Sequence, residues 1–149
     1  MRRLLLGIAV LSVLGVVVSG YALRQHYAPV GSGSFCNLST TLSCDLVNQS
    51  SYSEILGIPV AGIGIAGYLA MLVLSVVAMG GVARAKRCLP WLQIGAMGGI
   101  GFSLVLTAIE IFVIGAICIL CVASQVLILA IGGCVLALTM ALRRTSPSA

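Results

Sequence analysis

Charge is what this chain has least of. Three of its 149 residues are acidic and one is a histidine, and charged residues make up 7% of the total. That is too little to keep a soluble surface hydrated. With 60% hydrophobic residues and a mean hydropathy of +1.21, the composition is that of an integral membrane protein. Internal repeats and low-complexity arrays are also missing. The excess of eight Lys and Arg over three acids gives a net charge of +5, but these cations stand in short clusters between apolar runs. There they act as topology signals, which excludes a nucleic-acid surface.

A bilayer core of ~30 Å needs ~20 apolar residues per crossing, so the length allows about four spans. Apolar runs, free of charge except for Glu110 in the third, place them at residues 4–23, 59–83, 91–114 and 117–142, in a single membrane domain covering residues 1–149. The first run also has the form of a signal peptide, with Val18 and Gly20 suited to cleavage, but it reaches bilayer length and is read as a span. Pro59 suits the first position of the second helix, where its missing N–H costs nothing. Arg84, Lys86 and Arg87 end that span, Gly115 is the pivot between spans three and four, and the tract Gly95 to Gly101 is read as close helix packing. Residues 24–58 form the one long polar loop.

Seven of the eight cations then fall on one face, which the positive-inside rule makes cytoplasmic together with both termini. The loop and the turn before Cys118 lie on the outer, oxidising side, where disulfides persist.

Two cysteine pairs share that side. Cys118 and Cys121 form a Cys-x-x-Cys pair at the start of the fourth span, on one helix face, where the helix dipole and unpaired N–H groups acidify the first thiol. Cys36 and Cys44 lie in the loop, in a hydroxyl-rich segment suited to shuttling between a soluble partner and the membrane pair. Together they imply a thiol relay. The alternatives are inert packing of small thiols, a structural loop disulfide and a zinc site, for which the spacing of Cys36 and Cys44 is wide. Cys88 and Cys134 are assigned to packing, since Cys134 lies ~24 Å deeper along the helix than Cys118. Glu110 is either solvated at the interface or takes up protons beside the redox pair. His26 is expected in the loop, and the sequons at Asn37 and Asn48 arise easily by chance.

Cys36 and Cys44, Ser50 six residues past the second, the segments Gly57-Ile-Pro-Val-Ala-Gly and Gly67-Tyr68, and Ala116-Ile-Cys-Ile-Leu-Cys121 together resemble the vitamin K epoxide reductase family over residues 36 to about 125. The resemblance implies an all-α, four-transmembrane-helix bundle whose outer loop caps a quinone pocket. It implies that Cys36 and Cys44 accept electrons from a soluble thioredoxin-fold thiol oxidase, that Cys44 exchanges with Cys118, and that Cys121 passes electrons to a quinone of the menaquinone or ubiquinone class beside Ser50. Val60 and Gln125 stand where vertebrate members have asparagine and tyrosine, so the resemblance gives no support for epoxide reduction. Many bacterial members carry a fused thioredoxin-like domain. Here the partner is expected in trans, and the setting is the cytoplasmic membrane of a bacterium. Two rival readings are an unrelated oxidase of DsbB type and a non-catalytic, metal-handling membrane subunit.

Overall fold

The computed structural model describes residues 1–28, 44, 47, 53–55 and 57–144. Cys36 and Ser50, and the sequons at Asn37 and Asn48, lie outside the described residues. The helices are α1 (Arg2–His26), α2 (Val60–Ala78), α3 (Val82–Ile109) and α4 (Ile119–Arg144), and a π-helical turn, Glu110–Ile114, extends α3. Among the described residues, four helical segments, with α3 and its π turn counted as one, are long and apolar enough to cross a membrane. The fold is an all-α, four-helix integral membrane bundle. A minimal antiparallel pair, β1 (Glu54–Ile55) with β2 (Ile58–Pro59), precedes α2. Gly57, at φ 78°, makes its turn.

Two boundaries differ from those expected. Helix α2 ends at Ala78 and α3 begins at Val82, so Arg84, Lys86 and Arg87 lie in the first turns of α3 and do not terminate α2. The break is made by Gly80 and Gly81, the latter at φ 140°, a conformation closed to other residues. Pro90 lies inside α3. Pro59 is the N-cap of α2 and closes the strand pair, one residue before the helical position expected for it.

Each helix packs on its neighbours in sequence, and α1 closes the ring against α4. The core runs along the axis through Leu5 and Ile8 of α1, Tyr68 and Met71 of α2, Cys88 and Leu92 of α3, and Ile131, Val135 and Leu138 of α4. The outward faces are just as apolar: Val10, Val17, Val73, Ile94, Leu104, Val126 and Leu136 are all exposed. Burial of apolar surface therefore does little to associate these helices once lipid surrounds them, and close packing and interhelical hydrogen bonds do more. Gln93 Nε2 donates to Thr139 Oγ1 at 3.0 Å and joins α3 to α4. Tyr68 Oη donates to the Ser124 carbonyl at 2.8 Å and joins α2 to α4. Ser12 and Thr139 return their hydroxyl protons to the carbonyls of Ile8 and Val135 on their own helices, so these buried hydroxyls are satisfied without water.

Packing of the glycine tract divides by face. A Cβ on Gly99 would lie 2.9 Å from Ile128 of α4, and one on Gly95 would lie 2.7 Å from Met71 of α2, whereas Gly98 and Gly101 have nothing within 4 Å. Only the i and i+4 pair serves close approach. Cys88 is buried in the core and Cys134 packs against it, as assigned from the sequence.

Candidate redox centre and its cavity

At the end of the bundle opposite the chain termini, a second small cluster gathers Cys44, Val47, Ala116 and Cys118, packed against Ile114, Leu120 and Cys121. Its shape starts with the exit from α3. The π turn Glu110–Ile114 widens the helix, and Gly115 at φ 70° reverses the chain. Gly115 is thus the pivot that the sequence suggested. The Cys118 carbonyl accepts the N–H of Val122 at 3.0 Å, so Cys118 occupies the N-cap position and Cys121 the first turn of α4.

Cys44 of the loop meets the inner pair here. Cys118 Sγ lies 3.2 Å from Cys44 Sγ, and both side chains are fully buried. Cys44 is engaged in a disulfide, whereas Cys118 and Cys121 are free thiols. The Cys118 thiol is held below its ordinary value. The chief cause is the hydrogen bond from the Cys121 thiol, which outweighs burial, and the backbone N–H groups of Cys121 and Leu120 add to it. A thiolate at a helix start, touching one sulfur of a disulfide, has the geometry for exchange.

Glu110 belongs to the same centre. Its carboxylate Oε2 accepts the backbone N–H of Cys118 at 3.1 Å, its side chain hydrogen-bonds the Cys121 thiol, and it is 3% exposed. Of the two roles the sequence left open for this acid, interfacial solvation does not hold. The residue faces inward against both cysteines.

Beside the cysteines is a cavity of about 120 Å³, walled by all four helices. Val18, Ser19, Ala22 and His26 come from α1, Val60 and Gly64 from α2, Phe102, Leu106 and Thr107 from α3, and Leu120, Cys121 and Ser124 from α4, with Glu110 at one edge. His26 corrects an expectation. It is the last residue of α1 and lines the cavity, with Nε2 3.0 Å from Glu54 Oε1 and Nδ1 3.4 Å from Ser53 Oγ. The helical spacing Val18, Ala22, His26 was the signal that its side chain continues the inner face of α1. Gln125 does not line the cavity and accepts a hydrogen bond from Thr107 at 2.6 Å. An apolar groove between α2 and α3, lined by Gly67, Gly95, Gly98 and Trp91, shares Gly64 and Phe102 with the cavity wall.

A membrane bundle with two free thiols gathered at one end, one buried and one half-buried, has the form of a membrane thiol oxidoreductase. The vitamin K epoxide reductase family model matches residues 6–136 of the chain, and the protein belongs to that family. No curated protein matches it. Family membership identifies an oxidoreductase of a quinone-linked group, and it removes the rival reading as an oxidase of unrelated family.

Proposed function

We propose that this protein generates disulfides, carrying electrons from a reduced thioredoxin-fold partner through Cys36 and Cys44 to Cys118 and Cys121, and from there to a membrane quinone. The observation that carries the proposal is the 3.2 Å approach of Cys118 Sγ to Cys44 Sγ. When the inner pair is oxidised, a Cys44 thiolate attacks Cys118 Sγ and Cys121 leaves. Cys36 then attacks Cys44, the loop disulfide re-forms, and Cys118 is released as a thiolate that the start of α4 stabilises. An oxidised Cys44 beside two free thiols corresponds to the stage at which the electron pair has reached the inner cysteines.

The cavity suits a quinone ring. It is apolar, reached by Cys121, and carries a few hydroxyls and His26 for orientation. Bound there, a quinone of the menaquinone or ubiquinone class supplies the two-electron, two-proton acceptor. Val60, Phe102 and Leu106 would hold the ring and exclude water, the family resemblance would add Ser50, and the groove between α2 and α3 would give an apolar tail access to lipid. The setting proposed is a bacterial cytoplasmic membrane with the redox centre outside.

The test combines purified protein, a reduced thioredoxin-fold oxidase and a soluble quinone. Cys36→Ala and Cys44→Ala abolish turnover of the protein partner but leave activity with a small dithiol. Cys118→Ala and Cys121→Ala are silent with both reductants. Full activity of either inner variant with the small dithiol would show the relay to be wrongly drawn.

A further inference from the structure

The relay of thiols leaves one buried acid without a part. Each passage of the inner pair between dithiol and disulfide moves two protons as well as two electrons. Cys118 ionises readily and releases its proton early. Cys121 faces an apolar cavity, where a bare thiolate leaving group is costly. The group in contact with that sulfur is Glu110, and the Cys118 N–H fixes its carboxylate from the other side. A carboxyl group has two oxygens, so holding the N–H leaves capacity for the thiol.

We propose that Glu110 is the acid–base residue of the inner pair, protonating Cys121 Sγ as it leaves and recovering the proton when the pair is re-oxidised. The proposal rests on the relay described above and adds the path of its proton. As the Cys44 thiolate attacks Cys118 Sγ, the Cys44–Cys118 bond forms and the Cys118–Cys121 bond breaks. The electron pair goes to Cys121 Sγ, and the carboxylic proton of Glu110 follows it, leaving a carboxylate. On re-oxidation Cys121 returns its proton to that carboxylate and the disulfide re-forms. The two electrons leave for the quinone, with two protons supplied by water. Other titratable groups near Glu110 among the described residues are Cys118 and Cys121 from α4 and, on the cavity wall, His26 of α1 with its partner Glu54.

The experiment needs neither quinone nor protein partner. The full chain is oxidised at Cys118–Cys121, and opening of that disulfide by dithiothreitol is followed by alkylation and mass shift across pH. A general acid works only while protonated. Glu110→Gln is therefore expected to open about 10²-fold more slowly than wild type at low pH, with the deficit closing as pH rises. Equal rates at every pH, or a deficit independent of pH, overturn the proposal, the latter meaning that Glu110 only places Cys118. A second readout needs no Glu110 variant. In a chain carrying Asp45→Asn and Glu54→Gln, Glu110 is the remaining acidic side chain. Its carboxylic C=O stretch must appear in the infrared difference spectrum on oxidation and vanish on reduction, and a silent spectrum also overturns the proposal. If the wild-type inner disulfide never forms, the relay falls with it. If it forms and opens without regard to Glu110, only the acid–base role falls.

Discussion

Cys118 shows how a single residue is tuned by its place in the chain. It stands where α4 begins, so N–H groups left unpaired by the helix point at its sulfur, and Cys121 one turn on donates its thiol proton. Both favour the anion, against burial and the charge of Glu110. The folded thiol therefore titrates below the ordinary value of 9.0. For an acid whose folded pKa is depressed, the stabilising contribution is complete above the unfolded pKa and is lost as pH falls through the folded one. The reduced protein is thus expected to show a step in thiolate absorbance at 240 nm with its midpoint below the ordinary thiol range. Thermal stability in detergent should fall as pH drops through the same window. Cys118→Ser should lack both, and an absorbance midpoint at or above the ordinary value would contradict the geometry. At this scale the sequence was informative about sulfur and silent about partners. Cysteines are sparse and chemically distinct, so the two spaced pairs stand out. The N–H that holds Glu110 belongs to a backbone and leaves no mark in a string of side chains, and His26 looked like a loop residue because nothing before Tyr27 says where α1 stops.

Among the elements, glycine decides which faces touch. The tract from Gly95 to Gly101 reads in sequence as one block of close packing, but a helix turns ~100° per residue and the structure uses only part of it. Gly99 lies under Ile128, a β-branched side chain with little freedom to move, whereas Gly101 has open space. Gly99→Ala is expected to destabilise the bundle by about 1–3 kcal/mol through overpacking at the joint of α3 and α4. Gly101→Ala should be neutral or stabilising by up to about 1 kcal/mol from helix propensity alone. Unfolding of the two variants in the same detergent checks the contrast, and equal effects would mean the face assignment is wrong. The same reasoning explains which boundaries were legible. Gly115 was, because a long apolar run must turn somewhere and only one glycine stands near its middle in front of the Cys-x-x-Cys pair. The break at Gly80 and Gly81 was hidden behind the basic cluster, since charge marks where a membrane ends but not where a helix does.

For the whole molecule, the ring of helices separates two chemistries along its axis. Arg2 and Arg3 begin α1, Arg84, Lys86 and Arg87 lie in the first turns of α3, and Arg143 and Arg144 end α4, so these cations gather at one end while the cysteine centre occupies the other. Cations in short loops are retained on the cytoplasmic side, whereas the disulfide at Cys44 persists only where the surroundings are oxidising. The two arguments are independent, and both support the orientation proposed above. Two exposed positions test it: Ile58 in β2, near the redox centre, and Val82 at the start of α3, near the cations. In a background with the native cysteines replaced, Ile58→Cys is expected to react with a membrane-impermeant maleimide in intact cells, and Val82→Cys only after permeabilisation. Labelling of both from one side would break the four-span topology. The reverse pattern would keep that topology but turn the redox centre toward the reducing side, where a disulfide-generating relay has no acceptor proteins to serve.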